Sequence, residues 1–508
     1  MKDKIRLLHG SLTILTKVEA GAEEALRAEL KRVNQFSDSF FAGWPDVYFA
    51  RWAMLHQKKS TYLLFAVDFA RADSKGARLS KDALDREFIT RFIEVLIARG
   101  DRTFDTLYAH CVGYPPRGIE KREGEAVLEF LMGHHFPYTG RHIDFAYRVA
   151  SPGELVLAER VRTEVDGVRH RNEAKLPTRR EVKPEEACQD GARFHAHCRE
   201  KLSFASCDVE QRRQKLKAAE LAAAWATVTY GLGIGLLGGA GVAMVGGLAL
   251  LGFRNPGRMV AVYSSLAGAG GVWGLSSWLR SWLRAPTPVR PVRDPPGWVE
   301  KPVQNPMVHV VDIKRGREWL VKLALKVVNL RAKRYRAGLN VLRTIHLARW
   351  VITRTEEGCQ LVFLSNYDGS WDAYIGDFVD LLSRFLNAAW FNTLGYPKTW
   401  LWFLRGGAED IEAFRCWIRE HEVGTELWYQ HGVKTLSINN IHNDLQLCGL
   451  LSEEKLSKED YGRLVVLLRT GLCLTQERMR TPFSALKFIQ QHHKGLPQEE
   501  SRTWTSRS

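Results

Sequence analysis

Apolar residues fall along this chain in two recurring spacings. Short runs with alternating or continuous hydrophobicity read as strands, and longer stretches with apolar residues three and four apart read as helices. Leu7 to Leu15 predicts a first strand, and Ser11 to Asn34 contains that strand's end and a following helix. Val47 to Trp52 and Tyr62 to Phe65 predict two more strands before another helix-like stretch. After residue 305 the order returns. Strands are predicted near Val308–Ile313, Thr344–Val351, Leu361–Ser365 and Trp400–Leu404, and helices near Arg317–Arg336 and Trp371–Ala389.

The two regions also share residues. Val47-Tyr48-Phe49-Ala50-Arg51-Trp52 is matched by Ile345-His346-Leu347-Ala348-Arg349-Trp350, and in both copies a phenylalanine, Phe65 or Phe363, follows the arginine by fourteen positions. Each copy then reaches a Gly-Tyr-Pro, at Gly113 and at Gly395. Several matches in one order signal an internal repeat. Strand, helix, strand, strand, helix, strand is the ferredoxin-like order, which builds an antiparallel sheet with helices on one face. The expected fold class is therefore α+β: tandem ferredoxin-like units that pack sheet to sheet as an α+β barrel.

Between the copies the pattern changes. Leu221 to Phe253 carries no charged residue, and neither does Met259 to Leu279. About 20 apolar residues suffice for a helix to cross a bilayer. Pro256-Gly257 breaks the run, so a transmembrane helical hairpin is expected. Gly231, Gly235 and Gly239 repeat every four residues on one helix stripe, a surface for self-association by close backbone approach. Arg212, Arg213, Lys215 and Lys217 precede the hairpin, and Arg280, Arg284, Arg290 and Arg293 follow it. The positive-inside rule then places both flanking units in the cytoplasm. The chain divides into unit 1 (1–150), a polar linker with a juxtamembrane helix (151–218), the hairpin (219–283), a Pro-rich linker (284–304), unit 2 (305–450), a C-terminal helical segment (451–490) and a disordered tail (491–508).

Composition narrows the partners. The net charge is +16, but acidic residues are interleaved throughout, so nucleic acid is not the expected partner. Anionic lipid headgroups fit the Lys/Arg clusters beside the apolar segment better. The eight cysteines lack paired spacing and suit a reducing compartment. Cys188, His195, His197, Cys198 and Cys207 cluster before the hairpin, in a spacing that matches no ordinary zinc site. After Gly316, Trp319, Leu320, Leu323, Val327 and Leu330 recur at helical spacing, with Lys322, Lys326 and Lys333 falling largely on another side. That helix either covers the sheet or rests on anionic lipid.

The stretch from His346 to Trp350, followed by Phe363-Leu364-Ser365-Asn366-Tyr367-Asp368-Gly369-Ser370-Trp371, resembles a signature of largely uncharacterised bacterial proteins of the dimeric α+β-barrel superfamily. That superfamily also contains dye-decolorising peroxidases, chlorite dismutases and small mono-oxygenases. The resemblance covers most of 305–445 and, more faintly, 8–150. Ser365 to Gly369 is similar to the GxxDG element of the peroxidases, with Ser365 in place of its first glycine. The resemblance implies a haem cofactor, with Asp368 handling protons beside Asn366, Arg349 or Arg405 as stabilising cation, His346 as base or ligand, and His421, His431 or His442 as axial ligand. The residues themselves leave blander readings open. Asn-Tyr-Asp-Gly is good turn chemistry, and the first copy has Ala70 where the second has Asp368. Residues three apart on a strand, such as His346 and Arg349, point to opposite faces.

No P-loop, GxGxxG, HExxH, GxSxG or kinase set is present. Two functions follow as expectations. One is a membrane-bound, haem-dependent oxidoreductase acting on an apolar or lipid substrate. The other is a non-catalytic membrane scaffold that binds an apolar ligand or another protein.

Overall fold

The computed structural model describes residues 6–170, 294–334, 344–453 and 456–470, with short interruptions, together with 192, 194–196 and 198. The first half contains β1 (Arg6–Lys17), α1 (Glu23–Asn34), α2 (Ser37–Phe41), β2 (Val47–His56), β3 (Thr61–Asp73), α3 (Lys81–Arg99), α4 (Thr103–Tyr108), α5 (Gly124–Gly133), β4 (Ile143–Asp144) and α6 (Pro152–His170). The second contains β5 (Gln304–Asp312), α7 (Glu318–Arg334), β6 (Ile345–Thr355), β7 (Gly358–Asp368), α8 (Trp371–Trp390), β8 (Thr399–Trp400), β9 (Arg405–Gly406), α9 (Ile411–Glu420), β10 (Glu422–Val423), β11 (Thr425–Gln430), α10 (Ile438–Ser452) and α11 (Lys458–Thr470). Helix starts follow local chemistry: Ser370, Asp410 and Ser437 accept the backbone N–H three residues on and cap α8, α9 and α10.

The protein is α+β, with two larger antiparallel sheets and the short β8–β9 pair among the described residues. One runs β1-β3-β2-β11 and the other β10-β5-β7-β6-β4. Neither half completes its own sheet. β11 pairs with β2 of the first half, and β4 pairs with β6 of the second. β10 and β11 are nearly one strand: Glu422–Val423 line β5 in one sheet, and Thr425–Gln430 line β2 in the other. On the first half's side, His135 bridges Ile14 beside β1 before Ile143–Asp144 join β6.

Alternation along the strands assigns the faces. Leu63, Phe65, Val67 and Phe69 of β3 pack with α1, α3 and α5 in one apolar cluster. Tyr62, Leu64 and Ala66 instead join Val308, Val351, Val362 and Leu364, so the two sheets face each other. Helices α8 and α9 cover the far face of the second sheet through Trp390, Phe414 and Trp417. A fourth cluster, from α6, α10 and α11, closes one end of the paired sheets over Tyr48, Phe49, Leu347 and Trp428.

The repeated Gly-Tyr-Pro has a shared structural reason. Val112 N donates to Lys17 O at 2.8 Å and Leu394 N to Asp312 O at 2.9 Å, so each loop returns to the end of its half's first strand. Gly113 and Gly395 turn the chain at φ 77° and 68°, where L side chains are disfavoured. Each tyrosine hydroxyl donates to a side-chain oxygen nine residues earlier, Tyr114 to Asp105 at 2.5 Å and Tyr396 to Asn387 at 2.7 Å. The same oxygens accept Ile119 N and Ala408 N, both at 2.8 Å.

Several expectations need correction. Of the expected strand Trp400–Leu404, Trp400 pairs with Arg405 in a short ladder that also joins Thr399 to Gly406, while 401, 402 and 404 lie outside the described residues. The sheet strand lies later, at 422–430, where Glu422, Thr425, Glu426 and Gln430 dilute the apolar pattern. Part of the stretch read as a polar linker is α6, whose Leu155, Ala158, Val161 and Val165 are buried. On α7, Val321 and Leu325 face the core, while Trp319 and Leu323 of the expected core stripe are exposed. The hairpin at 219–283, its glycine stripe and the tail at 491–508 lie outside the described residues. Among the described residues no helix is long and apolar enough to cross a membrane.

Candidate functional site at one end of the paired sheets

His346, Arg349, Asn366 and Asp368 stand on β6 and β7, and the structure brings them to one face. Regular alternation would separate His346 from Arg349. The register shifts between Ile345 and Leu347, and both Ile345 and Ala348 pack toward the helices. The extra residue leaves His346 and Leu347 facing the opposite sheet, on the side of Arg349. The expectation of opposite faces is thereby overturned. β2 carries the same irregularity between Val47 and Phe49, at the position equivalent to His346, where Tyr48 hydroxyl donates to Ala150 O at 2.6 Å.

His346 is fully buried, with Nε2 at 2.6 Å from Asp368 Oδ1. The other carboxylate oxygen accepts Ile438 N, in the first turn of α10, at 2.7 Å. The imidazole meets one oxygen and the first turn of α10 the other, so Asp368 is held at both oxygens. It is also the last residue of β7, and Gly369, at φ 74°, turns the chain into the Ser370 cap. The turn reading and the partnered-acid reading thus describe one element. Around the pair, Phe49 meets His346 edge-on at 6.1 Å, Trp428 stacks on Phe49 at 6.4 Å, and Trp428 Nε1 donates to Asn366 Oδ1 at 3.1 Å. Lys301 lies 3.9 Å over the Trp428 ring.

Two arginines fill the space between the sheets. Arg349 pairs with Asp68 of the first half and donates to Leu12 O at 3.0 Å and Thr13 Oγ1 at 3.3 Å. Arg51 donates Nη1 to Met307 O and Ser365 O, both at 2.9 Å, and its Nη2 has no hydrogen-bond partner among the described residues. Burial pushes Arg51 down to about 9, which leaves it charged at neutral pH. Burial, then repulsion from Arg51, pushes Arg349 downward, against the Asp68 ion pair that holds it charged. The repeated arginine is therefore a cross-sheet clamp. Its sequence signal was retention in both copies; its partner Asp68 gave no signal, since the second copy has Asn366 there.

The remaining candidates lie elsewhere. His421 sits at the end of α9, on the helix-covered face, with Nδ1 2.8 Å from Trp417 O and its ring 5.9 Å from His309. Its carbonyl accepts Val310 N, six residues along β5 from Gln304, which pairs with Asp368. Six strand residues separate them by roughly 20 Å. His431 Nδ1 lies 2.9 Å from the hydroxyl of Tyr429, which packs on the helix side of the first sheet. His442 is half-buried on α10. Arg405 is 67% exposed and lies 3.9 Å from Glu409. His195 and Cys198 are buried, Cys198 and Phe194 joining the cluster of α6, α10 and α11, while Cys188, His197 and Cys207 lie outside the described residues. No group of three metal-binding side chains occurs among the described residues.

The haem set implied by the resemblance does not converge. Arg349 shares the face of Asp368, but Arg405 lies exposed on the β8–β9 hairpin, His421 and His431 contact groups on the helix-covered sides of the two sheets, and His442 is on α10. The interior beside Asp368 is filled by Arg51, Arg349, Phe49 and Trp428, all at most 9% exposed. Two cavities near α3, lined by Asp46, Phe88 and Arg91, measure about 10 and 20 Å³. Ligand pockets run to roughly 300 Å³ or more. The residues present do not fit the group.

No family model matches the chain, and neither a curated protein nor a solved structure matches it.

Proposed function

We propose that this protein is a non-catalytic scaffold, tethered to a bilayer by residues 221–279, in which a duplicated ferredoxin-like unit closes into an α+β barrel that presents its outer surface to partners. The observation that carries the reading is the filled interior. Arg51 and Arg349 cross it from opposite sheets, 1% exposed each, and bond to the strands they face. An apolar ligand or porphyrin there would have to displace two buried guanidiniums and leave Asp68 and several carbonyls without them. Order 4-1-3-2 for β10-β5-β7-β6, counted within the second half, is the ferredoxin-like strand order and supports the duplicated unit.

The test is an absorption spectrum of the purified chain before and after haem is supplied. The scaffold reading expects no Soret band in either. A band abolished by His346→Ala or His421→Ala would overturn it.

One observation favours a second reading, a proton-handling oxidoreductase: the 2.6 Å contact of His346 with Asp368. A buried acid that orients an imidazole is a common acid–base arrangement. In that reading α10, bonded to Asp368, has to lift before substrate reaches the pair. Turnover of an apolar electron donor that is lost in Asp368→Asn, with folding retained, would establish it.

A further inference from the structure

The outward face of α7 carries a stripe that neither core nor solvent explains. Trp319, Lys322, Leu323 and Lys326 follow one another at spacings of three, one and three, and so share one side of the helix. Trp319 is 62% exposed and Leu323 51%, whereas Val321 and Leu325 are buried against the second sheet. Close to the helix start, Arg317 Nη1 lies 3.4 Å from Asn392 Oδ1, which brings the loop of Leu394, 48% exposed, beside it. Arg315, Arg317, Lys322, Lys326 and Arg354 are exposed in this region, against the acids Asp312 and Glu318. Glu318 is already paired with Lys322 at 2.6 Å and Arg354 at 2.7 Å.

We propose that this face of α7 lies on an anionic lipid surface. The chemistry is that of an interfacial helix: an indole and a leucine entering the headgroup boundary, with lysines alternating beside them to meet phosphate and carboxylate. The surface is at hand, since the charge-free run ending at Leu279 stands forty residues before Trp319. Asp294 pairs with Arg419, so the tether is 280–293, which spans up to roughly 45 Å when extended, more than the roughly 30 Å length of β5. The proposal rests on the bilayer tether for proximity, but its own chemistry is separable from it.

The experiment uses the full chain in vesicles of phosphatidylcholine alone or mixed with phosphatidylserine, both carrying brominated acyl chains that quench buried indoles. With phosphatidylserine present, Trp319→Phe removes a component of quenching equivalent to one of the 16 tryptophans, and high salt or the pair K322E and K326E removes the same component. Trp319 is exposed, so these variants keep the core intact. Equal quenching of wild type and Trp319→Phe in phosphatidylserine vesicles overturns the proposal. A carbonate wash separates the two ideas. Release of the chain removes the tether, while salt-sensitive co-sedimentation with phosphatidylserine vesicles that Trp319→Phe weakens still upholds the lipid-facing stripe.

Discussion

Arg349 and Asp68 form an ion pair between the two halves of the chain, both side chains at most 5% exposed, in the space between the sheets. Arg51 reaches the other way without a carboxylate and, among the described residues, donates only Nη1, to two strand carbonyls. Removing one member of a buried pair strands the other, which costs about 3–5 kcal/mol, while replacing both by apolar groups of similar size is close to neutral.

Arg349→Met is therefore expected to lower unfolding free energy by about 3–5 kcal/mol, and adding Asp68→Leu to recover most of it. Arg51→Met removes only hydrogen bonds to carbonyls and is expected to cost about 1 kcal/mol or less. Urea denaturation of the four proteins gives the ranking. Equal losses for Arg51→Met and Arg349→Met would contradict the asymmetric clamp.

The tyrosine lock of the Gly-Tyr-Pro loops, to the Asn387 amide in one and the Asp105 carboxylate in the other, makes a second prediction. Tyr396→Phe leaves Asn387 Oδ1 with Ala408 N alone and is expected to cost about 1–2 kcal/mol. Gly407→Ala is expected to cost more, because a Cβ there meets the Asn387 amide and the residue sits at φ 62°. Thermal unfolding of each variant, and of the first-half counterparts Tyr114→Phe and Gly118→Ala, reads the effect; Gly118 stands at φ 61° against the Asp105 carboxylate.

The α6–α10 contact is expected to weaken as pH rises. Burial pushes Asp444 up to about 8 despite Arg162 Nε at 3.2 Å, since Glu159 and Asp166 share that arginine. Burial likewise pushes Glu422 up to about 7 against Arg419. A carboxyl raised in the folded state stabilises it below the unfolded value near 4, and that stability is lost as pH rises through the folded value. Stability from these two groups is expected to fall between about pH 4 and pH 8. Asp444→Asn flattens this dependence and raises the melting midpoint at pH 8 by a few degrees, roughly 2–4 °C per kcal/mol. A midpoint at pH 8 unchanged by the substitution would argue against a neutral Asp444.

Asp368 ties α10 to the end of β7, so Asp368→Ala is expected to loosen that helix start. Hydrogen exchange at residues 438–441 should quicken by about tenfold, matching loss of roughly 1–2 kcal/mol of local stability. Exchange in β6 and β7 should change little.

Much of the candidate site was legible residue by residue, and little of its arrangement. His346, Arg349, Asn366 and Asp368 were marked by the repeat and by turn chemistry. Their common face was not, because a bulge has no sequence signature: Ile345-His346-Leu347-Ala348 alternates as plausibly with the histidine on the helix side. Asp68 was invisible because its role depends on an arginine 281 residues away.

What the sequence determined by itself is local: which stretches extend or coil, where caps and glycines turn the chain, that Arg51 and Arg349 occupy equivalent places, and that 221–253 and 259–279 carry no charge. These follow from side-chain period and backbone sterics, which act over a few residues. The tertiary structure decided the rest. It gave each sheet an edge strand from the other half, turned α7 so that Val321 and Leu325 rather than Trp319 and Leu323 face the core, and filled the interior with two guanidiniums. Those outcomes are fixed by how whole faces pack and by where a buried charge finds its partner, and such free energies belong to pairs of residues hundreds of positions apart.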